Sequence, residues 1–556
     1  MQWWQHTVIY QVYVRSFFDS NGDGIGDIPG ITAKLDYLEA LGVETLWVTP
    51  FFSSPHRDFG YDVSDYRTVS SVYGSMDDVR TLIQEVHRRG MRIILDMVLN
   101  HTSIDHPWFR ESRRSRDNPK RDWYVWRPGR KSHGKKAPNN WRSMVYGSGW
   151  HYDPMTEEWY WAAFLPFQSD LNWRNLEVRK EMRSMLTSWL EEGIDGFRLD
   201  IFDCIFEDPQ WRDNPFSPHL LPKLDQGIST FQRVDRIRHL DETFLLAEEL
   251  RGLADSYGGF LVGEVFGDWP VLRRYCGTSS CSGLHLVFLF QSLDAPFTAR
   301  GFRRLLEQAE AWFPQPWSPV WVFGNHDRQR RMRTLKGSVE KAKLQAAFQL
   351  SARGAPCIYY GEEIGMGHGT IPVGESRDAA ARLFTDRFPH FLVSLIDRMT
   401  GGAVHRDNCR TPMQWDDTAH AGFCSADASP WLPVQADASF VHTAAQLSDS
   451  QSLLNWYRKL LALRREYPPL TRGSLEIVRI PAHDRDILGY IRSAGEQAVL
   501  VLLNFSSRKI SDIPLRYGNR HFTTLLLATG GGHLDPRSVQ LDPWEACIFM
   551  EERLQK

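Results

Sequence analysis

Four short stretches carry side chains suited to moving protons: Asp96, Asn100 and His101 in DMVLNH, Arg198 and Asp200 in GFRLD, Glu264 in GEV, and Asn325, His326 and Asp327 in NHD. Each ends or follows an apolar, β-branched run, which places it at the end of a candidate buried strand. Residues two apart on a strand share a face, so Arg198 and Asp200 point the same way. A helix cap or a structural ion pair would account for any one of these residues alone. Four carboxylates gathered in one desolvated opening raise one another's pKa, a cost that acid–base chemistry requires and structure seldom justifies. Retaining cleavage of a glycosidic bond uses such a set: an ionised carboxylate attacks, and a protonated one roughly 5 Å away serves the leaving oxygen. The 21 Trp would then offer flat surfaces for sugar faces, or else fill a large core. A metal-centred hydrolase fits less well, because HEXXH spacing is absent and the histidines do not cluster as ligands.

The elements that must hold these residues are eight short apolar runs, at 7–14, 45–52, 92–100, 196–202, 260–266, 284–290, 319–327 and 356–363. Helical periodicity lies between most of them, at 31–42, 178–193, 240–258 and 341–354, and Ser75 with Asp78 forms a capping-box pair ahead of another helix. Eight strands alternating with helices predict an α/β (β/α)8 TIM barrel, whose chemistry sits at the carboxyl ends of the strands. The interval 101–174, rich in Trp, Arg, Lys, Pro and Gly, is too long for an ordinary connection and reads as a subdomain inserted after strand 3. The barrel then comprises 1–100 and 175–472, and the short β-type runs of 473–556 predict a C-terminal antiparallel β-sandwich.

Composition narrows the partners. With 42% hydrophobic and 24% charged residues and a net charge of −3, neither nucleic acid nor a membrane is an expected partner. The N-terminus lacks the pattern of a signal peptide, and the expected location is cytoplasmic. Seven cysteines without a CxxC pair are expected to be reduced thiols.

DMVLNH, GFRLD, GEV and NHD, in this order, resemble the four signature regions of the α-amylase superfamily, glycoside hydrolase family 13. QSDLNW (168–173), GYDVSDY (60–66) and RDNCRTPMQW (406–415) resemble motifs of its oligo-1,6-glucosidase and α-glucosidase branch. The resemblance implies that Asp200 is the nucleophile, Glu264 the general acid/base and Asp327 the stabiliser of the transition state. It implies that His101 and His326 hydrogen-bond the first sugar, that Tyr61 stacks on it and that Asp62 holds its terminal hydroxyls, with Phe164, Gln168 and Arg410 lining the same pocket. Arg198 beside Asp200 is expected to keep the nucleophile ionised, while Glu264, in an apolar strand with no adjacent cation, keeps its proton.

The implied activity is that of a retaining exo-α-glucosidase acting on α-glucoside disaccharides and short oligosaccharides. A transglucosylase or isomerase of sucrose, trehalose or maltose would share its covalent intermediate. A non-catalytic, transporter-associated barrel is opposed by the intact Asp200, Glu264 and Asp327.

DSNGDGIGD (19–27) sets Asp19, Asn21, Asp23 and Asp27 at positions from which oxygens can converge on a hard cation, or simply forms a Gly-rich turn. Gly30 at the twelfth position excludes an EF-hand. Resemblance to the calcium loop of oligo-1,6-glucosidases, with the Ile25 carbonyl as a further ligand, implies structural calcium, and magnesium fits less well. Two departures bear on substrate choice. Ile201 follows the nucleophile where the branch carries Val, Thr or Ala, and Arg328, Gln329 and Arg330 follow NHD, either at the leaving group or as a solvated rim.

Overall fold

The computed structural model describes residues 2–130, 134–219, 227–400, 402, 404–531, 533–535 and 537–552. All eight expected strands form one closed parallel barrel: β1 Ile9–Val12, β2 Thr45–Val48, β3 Arg92–Met97, β4 Gly196–Leu199, β5 Phe260–Gly263, β6 Leu286–Leu289, β7 Val320–Val322 and β8 Ala355–Tyr359. Neighbours in sequence are neighbours in space, and β8 closes on β1.

Strand alternation sorts the side chains into two shells. Leu46, Leu95, Phe197, Leu199, Leu261 and Trp321 belong to the large core shared with the surrounding helices. Ile9, Trp47, Ile94, Val262, Phe288, Val320 and Cys357 fill the barrel axis, and Trp3 and Trp4 pack beneath them, Trp3 edge-on to Phe260 at 5.0 Å. The predicted helices are present at Leu35–Leu41, Leu176–Glu191, Asp241–Ser256 and Val339–Ser351. The capping box of Met76–Arg88 is formed in both directions between Ser75 and Asp78.

The insertion leaves the barrel through His101–Ser103, which pairs antiparallel with Gln168–Asp170. Between them a three-stranded sheet carries a core in which Trp141, Trp150 and Trp161 pack together. Much of the tryptophan content is therefore structural. The C-terminal strands form a six-stranded and a three-stranded antiparallel sheet, with Ile491, Leu500, Leu502, Ile513, Phe522 and Phe549 between them. A long return between β8 and the helix Leu453–Glu466 had no separate element in the sequence reading. It contains a helical pair, Ala379–Thr385 and His390–Met399, and the short turn Arg406–Cys409, which come back to the barrel mouth.

Candidate active site

The mouth of β4 is built by close approach. Gly196 has φ +150°, and a Cβ there would stand 2.0 Å from the Phe260 carbonyl oxygen, so glycine alone lets β4 lie this close to β5. Phe197 and Leu199 then face the helices, and Arg198 turns to the axis opposite Asp96 of β3. Ile201, just beyond Asp200, adopts φ 38° and ψ 49°, a left-handed conformation that is costly for a β-branched side chain. Its N–H donates to Glu264 Oε2 at 3.2 Å. The strained turn thus aims an amide at a carboxylate of the site.

One guanidinium holds three acids. Arg198 Nη1 donates to Asp96 Oδ1 (2.5 Å) and Asp200 Oδ1 (2.6 Å), and Nη2 to Glu264 Oε2 (2.5 Å). The expectation that Glu264 has no adjacent cation is corrected: its partner comes from the neighbouring strand, a contact that pairing creates and sequence adjacency does not reveal. A single cation cannot neutralise three buried anions, so protons are retained. Burial, against the pull of Arg198, raises Asp96 to about 6, Asp200 to about 7 and Glu264 to about 8. The ordering keeps the proton longest on Glu264, with the ionised Asp200 beside it contributing to that rise.

Asp327 behaves oppositely. Burial would raise it, but the cations Arg406 and Arg410, together with a hydrogen bond from the neutral His326, outweigh burial and hold it below the usual carboxylate range. Arg406 Nη1 and Arg410 Nη2 reach Asp327 Oδ1 at 3.1 and 2.9 Å, and His326 Nε2 reaches Oδ2 at 3.1 Å. Gln11 Nε2 lies 2.7 Å from His326 Nδ1, which assigns the His326 proton to Nε2. Tyr61 stacks on the same imidazole, ring centres 5.3 Å apart, and its hydroxyl donates to Asp96 Oδ2. Burial lowers His101 to about 4. Neutral at physiological pH, it places Nε2 3.2 Å from the Tyr61 carbonyl, with Phe164 packed beside its ring at 5.7 Å.

Asp200, Glu264, Asp327, Tyr61, His101, Phe164, Gln168 and His326 all line one cleft of about 1560 Å³, while Arg198 supports it from below. Besides Arg198, two of the expected residues do not line it. Asp62 is fully buried and accepts from the Ser54 hydroxyl and the Arg57 and Asp58 amides, so its carboxylate folds a turn. Asp58 is the carboxylate that faces the cleft from this loop, bonded to Gln168 Nε2 at 3.1 Å and paired with Arg406 at 2.7 Å. Arg410, likewise fully buried, stands behind Asp327, and Arg406 lines the cleft instead. Arg406 bridges Asp58, Asp327 and Asp378. Asp58 and Arg406 each lie four residues ahead of the expected residue, Arg406 inside RDNCRTPMQW and Asp58 two residues before GYDVSDY.

The catalytic-domain family described as alpha amylase matches residues 11–473. The chain belongs to the alpha-amylase family. It is a glycoside hydrolase of that family, similar over nearly its whole length to the oligo-1,6-glucosidase of Parageobacillus thermoglucosidasius, at 36% identity over 571 residues and 98% of each chain. It is also 36% identical over 575 residues to the α-glucosidase of Pediococcus pentosaceus, covering 99% of each. Among solved structures, an alpha-glucosyl transfer enzyme, XgtA, matches with a TM-score of 0.88 at 35% identity, over 99% of this chain and 100% of that one. The trehalulose synthase MutB of Pseudomonas mesoacidophila MX-45 matches with a TM-score of 0.88 at 32% identity and the same coverage.

In the loop after β1, Asp19 accepts from the amides of Asn21, Gly22 and Gly24, Asn21 from Asp23, and Asp23 from Ile25. Asp27 caps the following helix through the Gly30 amide and accepts from Ser20. Among the described residues no group of three or more His, Cys, Asp or Glu is placed to hold a metal ion. Arg330 departs from the solvated-rim reading: it is buried, with Nη1 on the Tyr360 carbonyl. Arg328 lines the cleft and donates to the Thr400 carbonyl at 3.2 Å.

Proposed function

We propose that the protein is a retaining, exo-acting α-glucosidase that removes the terminal non-reducing glucose from α-linked disaccharides or short oligosaccharides. The observation that carries this reading is Arg198 bound at once to Asp200 and Glu264. Two carboxylates on the two ends of one guanidinium are close enough for the roughly 5 Å spacing of a nucleophile and acid pair, whereas inversion needs about 6.5–9.5 Å to admit a water.

Asp200 attacks the anomeric carbon, and Glu264 gives its proton to the leaving oxygen. Water, activated by the now ionised Glu264, then releases glucose from the ester on Asp200. Asp327, held anionic by Arg406 and Arg410, stabilises the positive charge that develops on the ring. Tyr61, His101, Phe164, Gln168 and His326 form the wall for that glucose, and the Asp58–Arg406 pair closes its inner end, which favours exo-action.

Incubation with maltose, isomaltose, sucrose and trehalose tests the proposal; if sucrose is cleaved, its leaving group is fructose, so the glucose formed first, observed by NMR before mutarotation, should be the α-anomer. β-Glucose as the first glucose anomer from sucrose would exclude retention, and no product from any of the four would exclude the activity. The similarity to an alpha-glucosyl transfer enzyme and to a trehalulose synthase favours one second reading. In it a sugar rather than water takes the glucosyl group, which product analysis at high substrate concentration distinguishes.

We also propose that the loop 19–27 holds a structural calcium ion, using oxygens of Asp19, Asn21, Asp23, Asp27 and the Ile25 carbonyl. Its oxygen-only donor set suits a hard cation, and each side chain that accepts a backbone N–H retains further lone pairs. With Ca²⁺ at about 100 Kd, the linkage adds about 2.7 kcal/mol, so EDTA should lower the melting temperature by several degrees and added calcium should restore it. An unchanged melting temperature would leave the loop as a plain turn. We propose a cytoplasmic location, which the seven free cysteines support; no described helix is long and apolar enough to cross a membrane.

A further inference from the structure

Beyond the glucose pocket the cleft carries positive charge that the catalytic machinery does not use. Its lining includes Arg142, Arg300, Arg304, Arg328 and Arg398. None of the five has a carboxylate within 4 Å among the described residues. Arg328 meets only the Thr400 carbonyl, and Arg142 only the Thr230 carbonyl at 3.5 Å. Outside the catalytic group and Asp58, Asp294 is the one acidic lining residue described.

The contrast with the rest of the site is sharp. Arg198, Arg406 and Arg410 are each tied to at least one carboxylate, so the catalytic acids already have their own cations. Arg328 immediately follows Asp327 in the chain, and Arg398 lies two residues before Thr400, the carbonyl partner of Arg328, so both line the cleft near Asp327. Arg142 and Arg328 are half-buried, whereas Arg300, Arg304 and Arg398 are exposed; a half-buried arginine gains most from an anion that it can engage with two parallel N–H donors. A neutral disaccharide offers these side chains nothing of that kind.

We infer that the outer cleft is a binding site for an anion carried on the leaving group, so that the preferred substrates are α-glucosides whose second residue bears a carboxylate or a phosphate. The inference rests on the glucosidase reading and adds the chemical class of the leaving group.

The test compares kcat/KM for maltose against its aldonic acid and its reducing-end 6-phosphate, and for isomaltose against its aldonic acid. The expected result is a preference of about tenfold or more for one of the anionic forms, shrinking as salt rises from low to physiological strength. The carboxylate and phosphate arms separate the two sources of the charge. In the variant Arg328→Gln with Arg398→Gln, the anionic-to-neutral ratio should fall about tenfold. A global defect in the variant would lower both rates and leave that ratio unchanged, which would overturn the inference. So would arginines that merely offset the catalytic carboxylates, since they would move the pH profile for neutral and anionic substrates alike. Cleavage of the neutral sugars with no anionic preference overturns it too. Failure to cleave any α-glucoside, neutral or anionic, would instead remove the glucosidase reading and this inference with it.

Discussion

Asp200→Asn is expected to lower kcat on the order of 10⁶-fold on every α-glucoside that the protein accepts, the scale of losing a covalent nucleophile. The amide keeps the shape of the side chain and can still meet Arg198, so the loss isolates the nucleophilic electron pair. The same change is expected to leave stability intact or increase it. Burial against the opposing pull of Arg198 lifts Asp200 to about 7, above the roughly 3.9 of an unfolded chain. A carboxyl raised by folding contributes its stability below the unfolded value and loses it as pH rises through the folded value. Asparagine cannot ionise and escapes that loss. Melting curves should therefore coincide near pH 4 and separate in favour of the variant towards pH 8, a trade of stability for function. Turnover within a hundredfold of the wild type would place the nucleophile on another residue.

The fold was legible because its signal is local and repeated. Eight buried strands, each with its own run of apolar residues, can be read one at a time, and all eight became barrel strands. The catalytic acids were legible for the same reason, since each ends or follows one of these runs. What the sequence hides is which side chain of a turn faces inward. In RDFGYD both Asp58 and Asp62 are acidic and four residues apart. The chain turns so that Asp62 accepts the turn's own amides while Asp58 reaches Arg406, 348 positions away. In RDNCR the short helix Arg406–Cys409 turns Arg406 to the cleft and leaves Arg410 behind Asp327. Both substitutions of neighbour for neighbour occur in irregular backbone, where no period assigns a face. The Arg198–Glu264 contact was hidden differently: it needs the pairing of β4 with β5, which no single stretch of sequence contains.

Arg198 thereby changes meaning. Beside Asp200 alone it would be a device for keeping one carboxylate charged. Bound to three acids it is a shared counter-ion, and the difference in role between Asp200 and Glu264 must come from their other neighbours. Asp200 ionises first, and its charge then holds the proton on Glu264. Attack and protonation are coupled through one cation.

That coupling sets the pH profile and the expected effect of Glu264→Gln. Activity requires Asp200 ionised and Glu264 protonated, so kcat/KM should rise with pH through about 7 and fall through about 8, giving a narrow bell. In Glu264→Gln no proton remains to be lost, and the alkaline limb should disappear. For a disaccharide, whose leaving alcohol needs protonation, kcat/KM should fall about 10²–10⁴-fold. For 2,4-dinitrophenyl α-glucoside, whose phenolate leaves unaided, formation of the glucosyl-enzyme should survive and its hydrolysis should become slow. A burst of dinitrophenol followed by a slow steady rate is the signature, and azide, which attacks without a general base, should speed the second phase and yield α-glucosyl azide. Equal losses on both substrates would mean that Glu264 only positions Arg198 and Ile201. The Glu264 variant would then keep its alkaline limb, which would belong to another group.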